Sequence, residues 1–265
     1  MKKITLTTLN TMKQTGEKIT SLTAYDASFA RLLDQHMVDV ILVGDSLGMV
    51  IQGSDSTLAV TVDDMIYHTK IVSAASKRAM IVVDMPFMSY ASEPQALGNA
   101  ARLIRETGAH MVKLEGGETV LEIVHTLSNQ GIAVCGHLGL IPQSVHKLGG
   151  YQTQGKTPDQ YQQILNDAKN LQTAGANLLV LECVPSTLAK EISHSIDIPV
   201  IGIGAGPDCD GQVLVLHDML GVSSLAPRFS RNFMTESNTI DDAIDAYVNA
   251  VKTKSFPGPE HCLDA

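Results

Sequence analysis

Short, continuous apolar runs alternate with longer amphipathic stretches along the whole chain, and this alternation constrains the fold more than any other feature. Eight runs read as strands: Ile19–Tyr25, Val38–Asp45, Met80–Asp84, Met111–Glu115, Ile132–His137, Leu178–Cys183, Pro199–Ile203 and Ser223–Ala226. Between them lie segments of helical length, at Thr61–Ser76, Pro94–Thr107, Thr119–Gln130, Pro158–Ala174, Thr187–Ser195 and Gly211–Leu220. Strands that are apolar throughout and separated by helices belong to a parallel sheet covered on both faces. Eight such units close into an α/β fold of the (β/α)8, or TIM barrel, type rather than spreading as an open doubly wound sheet. Gly108, Gly131 and Gly175 follow helical segments, where a glycine stops the helix and begins a turn.

The 265 residues suit one barrel domain spanning 1–265. Trp is absent and aromatics are only 4% of the chain, so Val, Ile, Leu, Ala and Met must fill the core, as barrel interiors favour. The segment up to Lys18 reads as a short helix covering the barrel bottom. The periodic run Ile240–Val251 reads as the last helix, followed by a tail of surface or oligomer contacts. A formal charge of −9 with no basic stripe repels phosphate backbones, which argues against nucleic acid as a partner. No apolar run approaches the roughly 20 residues that span a bilayer, so no membrane partner is expected. The first residues are too polar for a signal-peptide core. Four dispersed cysteines without a CxxC pair then read as reduced thiols in a cytoplasmic protein.

In a barrel, chemistry comes from the carboxyl ends of the strands. Here those ends carry Asp45-Ser46, Asp84, Lys113 with Glu115, His137 and Glu182. Lys113 and Glu115 are two apart and face one side of their strand. Asp45, Asp84 and Glu115 read as the tops of interior columns, the first two standing two residues beyond Val43 and Val82. Three carboxylates from neighbouring strands share a pocket only if something positive joins them. A hard divalent cation ligated by Asp45, Asp84 and Glu115 meets that need, and all-oxygen ligation favours Mg²⁺ over zinc. Singly, each acid serves equally well as a helix cap or as the partner of a nearby Lys or Arg. Lys113 either stabilises an oxyanion or only neutralises its acidic neighbours. His137 alone would be a satisfied core histidine, but its place beside Lys113 turns it toward the site. Glu182 enters an apolar run, a setting that suits proton transfer, or it forms a structural ion pair with Lys190 or another cation. Gly202-Ile203-Gly204-Ala205-Gly206 fails the dinucleotide fingerprint because Pro207 and Cys209 stand where the third glycine belongs, and it is assigned no ligand.

Several segments resemble the ketopantoate hydroxymethyltransferase family. They are Leu22-Thr23-Ala24-Tyr25-Asp26, Val43-Gly44-Asp45-Ser46, Lys113-Leu114-Glu115-Gly116-Gly117, and Gly136-His137-Leu138-Gly139-Leu140 with Pro142-Gln143-Ser144. Gly155-Lys156-Thr157, Glu182, Ile201 to Gly206, Cys209-Asp210-Gly211-Gln212 and His217-Asp218 continue the match in order. The resemblance implies a phosphoenolpyruvate/pyruvate-type barrel with Mg²⁺ at Asp45, Asp84 and Glu115. It implies contacts to a 2-oxo acid from Asp45, Ser46, Asp84, Lys113 and His137, and an acid/base role for Glu182. It further implies 5,10-methylenetetrahydrofolate as donor, 3-methyl-2-oxobutanoate as acceptor, pantothenate synthesis as the setting, and a homo-oligomer, commonly a decamer. A related group of barrels, lyases acting on Mg²⁺-bound oxo acids, carries Cys-Gly-His on a mobile loop. Cys135-Gly136-His137 instead continues an apolar strand, which marks the likeness as coincidence.

Overall fold

In the computed structural model, which describes residues 2–144, 152–223 and 226–263, eight parallel strands close into a barrel in sequence order. The strands are β1 Ile19–Thr23, β2 Val40–Val43, β3 Met80–Asp84, β4 Met111–Glu115, β5 Val134–Gly139, β6 Leu178–Glu182, β7 Val200–Ile203 and β8 Gly211–Leu214. The principal helices are α1 Leu6–Thr15, α2 Ala27–Gln35, α3 Leu47–Val50, α4 Val62–Ala75, α5 Glu93–Thr107 and α6 Leu121–Asn129. They continue with α7 Pro158–Ala174, α8 Ser186–Ser195, α9 Leu216–Met219 and α10 Ile240–Lys252. Proline in the first turn and a left-handed glycine past the last turn bracket α5 and α7, with Gly108 at φ 77° and Gly175 at φ 108°.

Side-chain alternation divides each strand between two cores. Outward residues such as Ile41, Ile81, Val112, Leu179 and Leu181 pack under the helices in the larger core. Inward residues near the strand starts, among them Ile19, Val40, Met80, Met111 and Leu178, meet Ile4, Leu9 and Met12 in the smaller one. The leading segment is therefore a helix that plugs the barrel bottom, as expected from the sequence, and Lys13 Nζ pins it to Asp210 Oδ2 at 2.7 Å.

Two expectations need correction. The eighth strand was placed at Ser223–Ala226, and residues 224–225 lie outside the described set. The barrel is closed instead by Gly211–Leu214, which the periodicity had merged into a helix. The chain returns from β7 to β8 in seven residues, Gly204–Asp210, without a helix between them. It does so by passing close behind β7, where a Cβ on Gly202 would meet Cys209 Sγ at 2.8 Å. The segment after Tyr25, left unassigned, is helix α2, capped by Asp26 through the N–H groups of Ser28 and Phe29. Among the described residues no helix is long and apolar enough to cross a membrane.

Candidate active site

The barrel interior changes character from bottom to top. Met80 and Val82 lead up to Asp84, Met111 leads to Lys113 and Glu115, Cys135 to His137, and Leu178 and Val180 to Glu182. Each of these series keeps inward parity, so the strand pattern alone carries five ionisable groups to one mouth. Register then stacks them: Asp84 lies opposite Lys113, Glu115 opposite His137, and Glu182 opposite Gly139. Asp45 arrives differently. Val43 faces outward, and Asp45 reaches the site through the turn after β2 rather than along an interior column. Its N–H donates to Asp84 Oδ2 at 3.0 Å.

Lys113 Nζ sits 3.2 Å from Asp84 Oδ1, 3.6 Å from Glu115 Oε1 and 3.1 Å from His137 Nδ1. Burial alone would lower its pKa, but the charges of Asp84, Glu115 and Asp45 hold it well above the ordinary lysine value. His137 bridges two acids, with Nδ1 3.4 Å from Glu115 Oε1 and Nε2 3.3 Å from Glu182 Oε2. Burial and the Lys113 charge push its pKa down, and the two carboxylates push it up further, to about 9. Nδ1 accepts from Lys113 when the ring is neutral and turns donor toward Glu115 when it is protonated.

The acids are unequal. Burial, then the charges of Asp84 and Glu115, raise the Asp45 carboxyl well above its usual range. Burial also raises Asp84 against the pull of Lys113. Burial pushes Glu115 up as well, yet Lys113 and His137 outweigh it and hold that carboxyl low. Asp84 Oδ1, Glu115 Oε1 and His137 Nε2 are buried and make no well-formed hydrogen bond. None of Asp45, Asp84 and Glu115 caps a helix; Asp84 and Glu115 pair with Lys113, whereas Asp45 accepts from Gln143 instead.

Ser46 stands beside this cluster, its Oγ 2.8 Å from the hydroxyl of buried Tyr25. Glu182 faces His137, and Lys190 lies instead by Asp208 at 3.8 Å, so the partner of Glu182 is His137 rather than Lys190. Cys135, Gly136 and His137 all lie within β5 and on no loop. Gly202 and Ile203 end β7, and Gly204 to Gly206 form the tight turn after it, where a Cβ on Gly206 would meet Ser186 at 2.6 Å. Two residues without any role assigned from sequence complete the mouth. Gln143, on a 3₁₀ turn at Pro142–Ser144, touches Asp45 and Glu115, and Tyr90 touches Gln143. A cavity of about 240 Å³ opens beside Glu115, Gln143 and Tyr90 and has exposed Phe87 and Met88 on its rim. A larger one of about 360 Å³ lies at the opposite end, near Lys70, Arg78 and His110, and shares no residue with the charged cluster.

Among the described residues no group of three or more His, Cys, Asp or Glu side chains is arranged as a ready-made metal-ligand set. The acid cluster still fits a hard cation in its chemistry. Its donors are all oxygen, two carboxylate oxygens are buried without a hydrogen bond, and Mg²⁺ takes few protein ligands and completes its shell with waters or substrate oxygens.

Comparison with known proteins gives consistent results. Residues 3–259 match a family model described as ketopantoate hydroxymethyltransferase. A relative from Nitrosococcus oceani, named 3-methyl-2-oxobutanoate hydroxymethyltransferase, is 59% identical over 258 residues, covering 97% of this chain and 98% of its own length. Two solved structures share the barrel. Phosphonopyruvate hydrolase superposes with a TM-score of 0.63 at 11% identity, over 84% of each chain. The 2,3-dimethylmalate lyase, a member of the PEP mutase/isocitrate lyase superfamily, gives 0.57 at 13% identity, over 96% of this chain and 98% of its own. At such identities these two speak for the fold alone.

Proposed function

The chain belongs to the ketopantoate hydroxymethyltransferase family and is a hydroxymethyltransferase, and on that premise we propose how its barrel mouth works. The proposed reaction transfers the one-carbon unit of 5,10-methylenetetrahydrofolate to 3-methyl-2-oxobutanoate, giving 2-dehydropantoate. The observation that carries the proposal is the convergence of Asp45, Asp84, Lys113, Glu115, His137 and Glu182 at one mouth, with Asp84 Oδ1 and Glu115 Oε1 buried and without a hydrogen bond.

Asp45, Asp84 and Glu115 would hold Mg²⁺. When bound, that ion supplies Lewis acidity toward the oxygens of the oxo acid. Every other task falls to the chain. Ser46, its hydroxyl steadied by Tyr25, accompanies Asp45, Asp84, Lys113 and His137 in binding and orienting the oxo acid. Lys113, held protonated among carboxylates, stabilises negative charge that develops on the substrate oxygen. Glu182 is the acid with most access, its side chain 14% exposed against 2% for Glu115, and it takes the proton from C3. His137, its Nε2 3.3 Å from Glu182 Oε2, orients that carboxylate by charge. The carbon freed of its proton bonds to the methylene carbon of the folate, and water supplies the hydroxyl as tetrahydrofolate leaves. The same reading extends to a cytoplasmic homo-oligomer, a decamer, which light scattering coupled to size exclusion would measure.

Deuterium exchange at C3 of 3-methyl-2-oxobutanoate tests the chemistry directly, with and without Mg²⁺ and tetrahydrofolate. Metal-dependent exchange that disappears in Glu182→Gln is the expected result. Exchange that survives in Glu182→Gln would remove Glu182 as the base. No exchange under any condition would overturn the enolisation itself.

A further inference from the structure

Gln143 is uncharged, only 6% exposed, and inserted between two of the strand-end acids. Its side-chain amide and its backbone N–H are all engaged. Its Nε2 donates to Asp45 Oδ2 at 2.8 Å and to the Met85 carbonyl at 3.0 Å. Its backbone N–H donates to Glu115 Oε2 at 3.0 Å. Its Oε1 accepts from the Tyr90 hydroxyl at 2.6 Å. The amide can sit only this way round, because a flip would set Oε1 against a carboxylate and a carbonyl and leave both unsatisfied. Tyr90 is fixed in turn, since its oxygen accepts the Glu115 N–H at 3.3 Å while its hydrogen goes to Gln143.

The consequence is a division of oxygens. Gln143 occupies Oδ2 of Asp45 and Oε2 of Glu115, and the Asp45 N–H occupies Oδ2 of Asp84. The remaining oxygens of Asp84 and Glu115, Oδ1 and Oε1, are buried without a well-formed hydrogen bond and turn toward Lys113 Nζ at 3.2 and 3.6 Å. A neutral amide does this without adding to the positive charge that Lys113 already sets against these acids, which would compete further with the ion they are to hold. A carboxylate in its place would add a further repelling charge. We propose that Gln143, locked by Tyr90, is a positioning residue. It ties back one oxygen each of Asp45 and Glu115 and so presents the acid cluster to a divalent cation. This rests on the metal-binding reading given above.

The test uses Mn²⁺ as probe, its binding to the full chain followed by electron paramagnetic resonance with saturating 3-methyl-2-oxobutanoate. Wild type, Gln143→Ala and Tyr90→Phe are compared after circular dichroism and thermal melting have established that each is folded. Gln143→Ala is expected to weaken Mn²⁺ about tenfold, or about 1.4 kcal/mol. Tyr90→Phe keeps the ring and loses only the clamp, so about threefold is expected in the same direction. In both, kcat for C3 exchange recovers at saturating Mn²⁺, whereas a general loss of packing would not be rescued by metal. Should Gln143→Ala fail to fold, Tyr90→Phe decides. Mn²⁺ affinities within twofold of wild type in the folded variants would overturn the role of Gln143 and leave the metal reading intact. Absence of Mn²⁺ binding to wild type would overturn both.

Discussion

Lys113→Met is the most informative single perturbation of the mouth, because it removes the ammonium while keeping the length and apolar stem of the side chain. The Lys113 side chain is 4% exposed and lies within 3.6 Å of two carboxylate side chains, Asp84 and Glu115, themselves 3% and 2% exposed. Taking one partner from a buried pair leaves an uncompensated charge and costs roughly 3–5 kcal/mol. An unfolding entropy of about 2.1 cal/mol/K per residue over 265 residues turns that loss into a fall in Tm of about 5–9 °C. The loss also depends on pH. Lys113 pulls down the carboxyl pKa of Asp45, Asp84 and Glu115, so its removal raises all three. An acid whose folded pKa is raised binds more protons folded than unfolded, and stability then falls as pH rises through the interval between the two values. The deficit of the variant is therefore smallest near the ordinary carboxyl range, about pH 4, and grows toward neutrality. Melts followed by circular dichroism in EDTA, at pH 5 and pH 8, measure both effects. A variant that melts within about 1 °C of wild type at pH 8, or whose deficit shrinks as pH rises, would refute the view that Lys113 compensates these acids.

Asp34 accepts from Ser76 Oγ and from the N–H groups of Lys77, Arg78 and Ala79, which outweigh its burial and hold its carboxyl below the ordinary range. Asp34→Ala should cost about 3 kcal/mol at pH 7 by urea denaturation. Because the folded pKa is depressed, that contribution is present above about pH 4 and is lost as pH falls through the folded value, so the two midpoints should converge in acid. Tyr247→Phe removes the hydroxyl that donates to the carbonyls of Ser21 and Gln212 across the β1–β8 seam, and a urea midpoint should register a loss of about 1–2 kcal/mol. Leu9→Ala opens the bottom plug at a fully buried position and should cost about 2–5 kcal/mol by the same measurement. Gly139→Ala forces a Cβ to within 2.1 Å of the Glu182 carbonyl at a backbone φ of 93°, and C3 exchange should fall at least about tenfold for a shift of the order of 1 Å at Glu182.

Strand parity made most of the mouth legible. Asp84, Lys113, Glu115, His137 and Glu182 stand at or near the ends of apolar strands and continue their inward columns, so reading the strand ends was enough to bring them together. Pro158 and Gly175 bracket α7 and set its bounds at the expected residues. The failures have local causes. β8 holds only four residues and runs almost directly into α9, so Gln212, Val213 and Leu214 were absorbed into a helical period. Asp45 was placed by counting from Val43, although β2 stops there and the turn, not the strand, aims its side chain. Gln143 and Tyr90 were not identified because neither has a charge and both sit on loops. Gln143 lay inside a family-like segment, which was the one available signal, and Tyr90 had none.

Stability and chemistry are separated along the barrel axis. The bottom is closed by Ile4, Leu9 and Met12 over apolar strand starts, while the top gathers four acids around one lysine and one histidine. An imbalance of that kind costs folding energy, since burial has pushed Asp45 and Asp84 toward the neutral form. A divalent ion that binds only the folded mouth returns stability by RT ln(1 + [L]/Kd), about 2.7 kcal/mol at a hundredfold excess over Kd. Loss of the plug at Leu9 should therefore lower the melting temperature and leave the increment due to metal unchanged. Loss of Lys113 should lower the melting temperature and enlarge that increment, because the acids then depend on the ion and His137 for their counter-charge. The two variants, melted with and without Mg²⁺, separate scaffold from site.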